Sequence, residues 1–280
     1  MHGIVVLDKP AGVSSRKWLH ECLEAQRALG KVGHAGTLDP FATGVLLGLV
    51  GDATRLSSLA MSLEKTYRAT VRFGWQTETL DPEGAVVDEC DPGEARDLSA
   101  ALASLTGEIL QAPPAHSAVK IDGRRAYKLA RAGEAPEMEA RPVVVHRLEV
   151  CGDVWPDVEL EVVCGAGTYI RSLARDLGAM IDLPASLTAL RRTAVGPYRV
   201  EDADEQRCRP PLELIEASGL PHIELDRAEA LRFVTGRVLE TAIEERSGLV
   251  FRGRLIGIAK PGGTECVFAE ARREIETEQL

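Results

Sequence analysis

The stretch Gly33-His34-Ala35-Gly36-Thr37-Leu38-Asp39-Pro40-Phe41-Ala42-Thr43-Gly44 decides how the rest of the chain is read. Three glycines, one proline and two threonines oppose a helix, so the composition predicts a shaped loop between ordered elements. Downstream, Val45-Leu46-Leu47-Gly48-Leu49-Val50 is an apolar run that reads as a buried strand. Upstream, Trp18, Leu19, Cys22, Leu23 and Ala25 form the apolar stripe of a helix over about 16–29, N-capped by Ser14 or Ser15 and ended by Gly30. A rigid loop at the edge of a core can present a reactive side chain. Asp39 is its one carboxylate and His34 its one imidazole. An isolated Asp-Pro is more often a turn cap, so the function of Asp39 must be argued from elsewhere in the chain.

Working outward, residues 3–8 predict an opening strand, and Asp52 or Thr54 starts a short helix ending near Leu63. Thr66 to Phe73 alternates with a period of two, a strand signature. An acidic, turn-rich connection over 75–96 holds a short strand at Ala85 to Val87, and a helix follows at about 97–105. The paired Pro113 and Pro114 keep 111–120 extended. A helix is predicted over Arg124 to Ala132, strands at about 142–151 and 157–163, and a turn at Gly165 and Gly167. Thr168 is placed to cap a helix from Tyr169 to Met180, and Leu187 to Val195 returns as a strand. About 201–220 is polar and proline-bearing, as a linker would be. Beyond it come a helix near 226–234, a turn at Gly236, and strands at 248–251 and 255–259. This mixture predicts an α+β (mixed α/β) body over residues 1–210 and a small β-rich domain over 221–280.

With 280 residues, 45% of them hydrophobic, the chain can bury a sizeable core. No apolar run approaches the roughly 20 residues of a membrane span, and the N-terminus lacks a signal-peptide pattern, which predicts a cytoplasmic protein. The six cysteines and six histidines show no metal-ligand spacing, so a metal enzyme is not expected. A net charge of −10 argues against nucleic acid as a partner only for the chain as a whole, because screening confines each charge to about 10 Å. The charges are segregated: acids crowd 81–97 and the C-terminal tail, whereas Lys120, Arg124, Arg125, Lys128 and Arg131 face only Asp122.

Four separated segments offer side chains suited to one pocket: Asp39 and His34, then Tyr67, then Tyr169 and Arg171, then Leu190 with Arg191 and Arg192. Each has a bland reading; a strand tyrosine is usually core, and an arginine in the first turn of a helix opposes the helix dipole. Together with Leu7-Asp8-Lys9-Pro10 and Ser14-Ser15, the Gly33–Pro40 segment resembles the first two motifs of the TruB-type tRNA pseudouridine synthases. Glu64-Lys65-Thr66-Tyr67-Arg68-Ala69, Pro113-Pro114 with Ser117-Ala118-Val119-Lys120, Gly167 to Gly178, and Leu190-Arg191-Arg192-Thr193 resemble further motifs in the same order. The resemblance covers about residues 3–200, and the last sixty or so are similar, more loosely, to a PUA domain.

The resemblance implies a catalytic domain with a central mixed, largely antiparallel sheet and an RNA-binding insertion over about 110–140. It implies isomerisation of uridine to pseudouridine at position 55 in the T loop of tRNA, without a cofactor, by a monomer. Asp39 then matches the family's essential aspartate, and Arg171 the cation that keeps it charged against burial. Tyr67 matches the platform for the flipped base, His34 the residue filling the vacated stack, Leu190 the apolar wall of the uracil pocket and Tyr169 a neighbouring polar contact. Lys120, Arg124, Arg125, Lys128, Arg131, Arg191 and Arg192 are the expected RNA contacts. Cys164-Gly165-Ala166 and His116 depart from the family pattern, which bears on affinity more than on activity. An RNA chaperone with incidental catalysis is the alternative from another class, against which the presence of Asp39 argues. A guide-RNA-dependent relative is a third reading, against which the short chain without a basic tail argues.

Overall fold

The structure, a computed structural model, describes residues 2–24, 30–117, 119–121, 123–132, 134 and 138–277. Strand β1 (Gly3–Lys9) leads through Pro10 into helix α1 (Ser15–Cys22), N-capped by Ser14, whose hydroxyl accepts from Lys17 N. The expected continuation of that helix through 25–29 lies outside the described residues. Strands β2 (Val32–Ala35) and β3 (Thr43–Val50) follow, then a 3-10 turn and helix α2 (Ser57–Ser62), then β4 (Lys65–Phe73). The central loop is therefore shorter than its composition suggested, running from Gly36 to Ala42. His34 stands on β2, paired with Gly48, because its segment pairs with the apolar β3 despite Gly33.

A hairpin of β5 (Trp75–Thr77) and β6 (Val86–Glu89) precedes helix α3 (Ser99–Ser104) and strand β7 (Gly107–Gln111). The basic segment is a small hairpin, β8 (Lys120–Ile121) with β9 (Arg124–Arg125), and only then helix α4 (Ala126–Arg131). Arg124 and Arg125 thus lie on a strand rather than on the expected helix. Long strands β10 (Arg141–Val154) and β11 (Asp157–Cys164), helix α5 (Ile170–Met180), β12 (Ala185–Val195) and β13 (Tyr198–Arg199) complete this part.

These strands form one mixed sheet in the order β1-β3-β12-β4-β11-β10-β7, with β2 added on β3 and β13 on β12. Every pairing in it is antiparallel except β3 with β12, which meet in parallel through Thr43–Arg191 and Gly44–Arg192. β3 therefore pairs with β12 at its start and with β2 from Leu47 to Val50. The Gly36–Ala42 loop spans this divergence, which is why it stands over β12. On β4 the alternation is complete: Lys65, Tyr67, Ala69, Val71 and Phe73 are buried while Arg68 and Arg72 are exposed. Helix α5 lays Ile170, Leu173, Ala174 and Leu177 on that buried face. Burying each large apolar side chain contributes roughly 1.5–3 kcal/mol, against about 1 kcal/mol for a cap, so packing decides where this helix sits. Accordingly no side chain caps it at Tyr169; the Thr168 hydroxyl donates instead to Gly165 O at 3.2 Å.

The 201–220 segment is ordered rather than linker-like. Arg209 exchanges both backbone bonds with Ile4 at 2.9 and 2.8 Å, and helix α6 (Leu212–Ala217) buries Leu214 and Ile215 completely. Beyond it, β14 (His222–Glu224), helix α7 (Arg227–Val234), β15 (Ser247–Phe251), β16 (Arg254–Lys260), β17 (Gly263–Val267) and helix α8 (Ala269–Thr277) make a four-stranded sheet with two helices. One continuous apolar cluster joins Ile4, Val6 and Val45 to Leu214, Phe233 and Leu249, so this β-rich region packs directly on the edge of the main sheet.

Gly44 is where the loop, β3 and β12 meet. Its φ is +104°, and a Cβ there would stand 2.1 Å from the Arg192 carbonyl oxygen. Gly44→Ala should lower unfolding free energy by ~2–5 kcal/mol through strain and overpacking, measured by urea denaturation. A change below about 0.5 kcal/mol would mean that the loop does not need this close approach.

Candidate active site

The loop carrying Asp39 is fastened by three side chains from three different elements. Lys9, at the end of β1 and fully buried, donates its ammonium to Pro10 O at 2.8 Å, Pro40 O at 3.1 Å and Ala42 O at 2.7 Å. Ser15, in the first turn of α1, accepts from Leu38 N and donates to Leu38 O, both at 2.8 Å. Arg192 on β12, 1% exposed, donates to Gly36 O at 2.9 Å and Val45 O at 2.7 Å. A short loop with its carbonyls spoken for has little freedom, so the carboxylate of Asp39 is presented in a fixed direction.

That carboxylate meets Arg171 from the first turn of α5. Arg171 Nε lies 3.0 Å from Asp39 Oδ2, and Nη2 donates to Asp39 Oδ1 at 3.3 Å. The same guanidinium faces a second acid: Nη1 is 3.1 Å from Asp81 Oδ2. Nη1 also donates to Thr79 O at 2.8 Å, and Nη2 to His116 O at 3.0 Å. The guanidinium thus makes three hydrogen bonds, to Thr79 O, Asp39 Oδ1 and His116 O, and two ion-pair contacts, to Asp39 and Asp81. Asp81 is 3% exposed and its own turn is tight: Thr79 Oγ1 donates to Asp81 Oδ1 at 2.6 Å, and Glu83 N to the same oxygen at 3.0 Å.

Asp81 changes the electrostatics that the sequence suggested. Burial pushes the Asp39 carboxyl above the ordinary aspartate value; Arg171 and Lys9 pull it down, but the Asp81 charge pushes it up again. One guanidinium shared by two carboxylates does not offset the loss of solvent. In the sequence Asp81 is one acid in an acidic run and reads as solvated; no local signal separates it from Glu83 or Asp88.

Tyr67 lies on the buried face of β4 in one apolar cluster with Leu38, Ile170 and Leu190. Burial raises its phenol, the Arg192 charge partly counters this, and the Asp39 charge pushes it further up. Tyr169 is the N-cap residue of α5, half-buried, with its backbone held by a side chain that the sequence did not single out. Gln111, 1% exposed, accepts from Tyr169 N at 2.8 Å and donates to Tyr169 O at 3.2 Å. His34 is half-buried on β2 with Nδ1 enclosed and unpartnered among the described residues, and burial and Arg192 push its pKa down, favouring the neutral imidazole.

The expected RNA contacts separate. Arg192 lies inside the protein holding the loop, which takes it out of the surface set. Arg191 is half-exposed and paired with Asp8 at 2.8 Å, a contact that contributes ~0–1 kcal/mol at such exposure. Arg124 is exposed with Glu134 at 3.2 Å. The side chains of Lys120, Arg125, Lys128 and Arg131 lie outside the described residues. Among the described residues no group of three acids, histidines or cysteines could hold a metal ion, and no helix is long and apolar enough to cross a membrane.

The shared arginine has a direct consequence for titration. The Asp39 carboxyl should titrate above the ordinary 3.8, and Asp81→Asn, by removing the second negative charge, should bring its midpoint down. Because its folded-state pKa is raised, Asp39 disfavours folding progressively as pH rises from 3.8 through that midpoint, the reverse of an ordinary paired carboxylate. Carbon-13 NMR of aspartate-labelled protein reads both midpoints; an unchanged midpoint in Asp81→Asn would show that the two acids do not share the guanidinium.

The sequence model of the TruB family pseudouridylate synthases (N-terminal domain) matches residues 22–170. A tRNA pseudouridine synthase B of Thermobifida fusca is 43% identical over 96% of this chain and 94% of its own length. Proteins of the same name from Mycobacteroides abscessus and Aromatoleum aromaticum are 42% and 40% identical, over 86% and 93% of this chain and 85% and 89% of their own lengths. Among solved structures, a chain of a Cbf5-Nop10-Gar1 complex superposes with a TM-score of 0.69 at 23% identity, over 96% of this chain and 80% of that one. A chain of an H/ACA RNP bound to a substrate RNA containing 2'-deoxyuridine superposes with a TM-score of 0.67 at 22% identity, over 98% of this chain and 80% of that one. Those two likenesses concern the fold. The sequence match spans more than half of the chain and includes the Asp39 loop and β4, and the chain belongs to the TruB family of pseudouridylate synthases.

Proposed function

We propose that this enzyme converts uridine 55 in the T loop of tRNA to pseudouridine, with Asp39 as nucleophile and the base flipped onto Tyr67. The observation that carries this reading is the Asp39–Arg171 pair at 3.0 Å beside the apolar cluster of Tyr67, Leu38, Ile170 and Leu190. The relatives' name supplies tRNA as the substrate class.

Isomerisation breaks the bond between ribose and the base nitrogen, turns the base, rejoins it through carbon and moves one proton from that carbon to the freed nitrogen. Nothing is oxidised or reduced, so the demand falls on side chains. A fixed carboxylate can attack the ribose or the base, and it needs a cation beside it to remain ionised in a half-buried site. Extruding the base costs a few kcal/mol. Stacking on Tyr67 returns about 1–3 kcal/mol of that, with Leu190 and Ile170 walling the ring. The raised phenol of Tyr67 stays protonated at neutral pH and can deliver or relay the migrating proton. His34, with its enclosed and unpartnered Nδ1, would fill the stack that the base leaves, and Tyr169 would contact the base at the head of α5.

The body formed by residues 1–210 is the catalytic unit of this proposal, and 221–280 the PUA-like RNA-binding unit. The basic hairpin and helix with Lys120, Arg124, Arg125, Lys128 and Arg131 would lie along the stem phosphates, and Arg191 would join them by exchanging Asp8 for phosphate. Arg192 drops out of this set and acts by holding the Asp39 loop.

An unmodified tRNA transcript, incubated with the enzyme and mapped for pseudouridine at single-nucleotide resolution, tests the reading. Conversion at position 55 alone is expected, with Asp39→Asn at least ~10³-fold slower. Tyr67→Phe should bind the transcript normally and turn over ~10²-fold or more slowly, and Tyr67→Ala should also bind ~5–100-fold more weakly. Conversion elsewhere overturns the substrate assignment; an active Asp39→Asn overturns the nucleophile.

A further inference from the structure

We propose that His116 is a positioning residue for Arg171, braced in that role by Glu78. This rests on the reading of Asp39 and Arg171 above. Two of the three hydrogen-bond acceptors of the guanidinium are backbone carbonyls, Thr79 O and His116 O, from segments about 37 residues apart in sequence. Neither segment is a regular strand or helix at these residues, so no ladder of backbone bonds fixes one against the other. Their side chains do so: His116 Nε2 lies 3.3 Å from Glu78 Oε1, and Glu78 immediately precedes Thr79.

The turn containing Glu78 is already rigid. Glu78 N donates to Ala85 O at 2.9 Å, Thr77 and Asp81 are joined by two bonds through the Thr77 hydroxyl, and Leu80, with φ +61°, is held by Leu187 N. The other side is less secured. Gln111 and Ala112 are tied to α5, by the Tyr169 backbone and by Ser172 and Arg175. From Pro113 to Ser117, the only such bonds among the described residues are those of His116 to Arg171 and to Glu78. Ser117 Oγ is buried without a partner. The His116–Glu78 contact therefore hands the rigidity of the turn to the carbonyl that fixes Nη2, the nitrogen that also donates to Asp39 Oδ1. With His116 14% exposed and Glu78 54%, the contact is worth little as a salt bridge. Its effect lies in direction. An arginine displaced by a fraction of an ångström leaves Asp39 misoriented, and misplacement of about 1 Å can cost ~10²-fold in rate.

This makes His116 a determinant of the chemical step, where its departure from the family pattern had suggested an effect on affinity. The experiment is single-turnover conversion of unmodified tRNA transcript, with transcript binding measured separately, for wild type, His116→Ala, His116→Gln, Glu78→Ala and the double alanine variant. Wild type and Asp39→Asn serve as controls: if wild type is inactive on the transcript the underlying reading fails, not this one. The expected result is a loss of about tenfold in the single-turnover rate of His116→Ala with binding within about twofold. His116→Gln, whose amide can still donate to Glu78, should recover most of the loss, and Glu78→Ala should match His116→Ala with no further loss in the double variant. Removing the brace should also move the acid limb of the rate upward, because Arg171, opposed by Asp81 and helped by Lys9, lowers the Asp39 pKa. A wild-type rate in His116→Ala, a loss confined to binding, a loss that His116→Gln does not recover, or additive losses in the double variant would each overturn the proposal.

Discussion

One guanidinium organises this molecule's functional end. Arg171 meets two carboxylates and two backbone carbonyls that come from the Asp39 loop, the turn before Asp81 and the segment after the paired prolines. The Glu78–His116 contact is a further tie between two of these segments. The arginine can hold them because α5 is itself placed by apolar packing against β4, so the cation arrives at a fixed point. Breaking a buried ion pair by deleting one partner typically costs ~3–5 kcal/mol, which ties local order here to the charge. The helix dipole disfavours a cation in this first turn by an amount below about 1 kcal/mol, and the two facing acids outweigh it.

The second constraint is rigidity in the loop that presents Asp39. Lys9, Ser15 and Arg192 occupy its backbone oxygens and one N–H, and two of the three are cations withdrawn from water. Burial lowers the pKa of Lys9, and the carbonyls it binds hold it where solvent would otherwise be. Spending buried charges on loop carbonyls is costly for stability, and it leaves a carboxylate whose orientation is set before substrate arrives. That is the form of preorganisation that the proposed nucleophile requires.

The fold accounts for where this constellation sits. β3 pairs with β12 at its start and with β2 further along, so the Gly36–Ala42 loop bridges a divergence in the sheet. β12 then delivers Leu190 to the apolar cluster of Tyr67, Arg192 to the loop and Arg191 to the surface. The net charge of −10 does not by itself weigh against an RNA-modifying enzyme, because screening confines each charge to about 10 Å and the acids and the basic run occupy different stretches of the sequence.

Much of this was legible in the residue order. The period of two in Thr66–Phe73 placed Tyr67 inward, since a strand with one buried face has only one way to bury Ala69, Val71 and Phe73. The 3.6 spacing of Ile170, Leu173, Ala174 and Leu177 placed Arg171 at the head of a packed helix, and the glycine-rich segment marked the loop of Asp39. Tertiary structure alone decided the rest. Asp81 reads as one of many surface acids until a turn buries it against Arg171, and Arg192 reads as an RNA contact until β12 carries it inward. Gln111 and Lys9 are polar residues whose partners are backbone groups from distant segments. Periodicity reports which face of an element is apolar; it carries no information about which buried cation or amide will meet which carbonyl, because that depends on how separately folded segments cross.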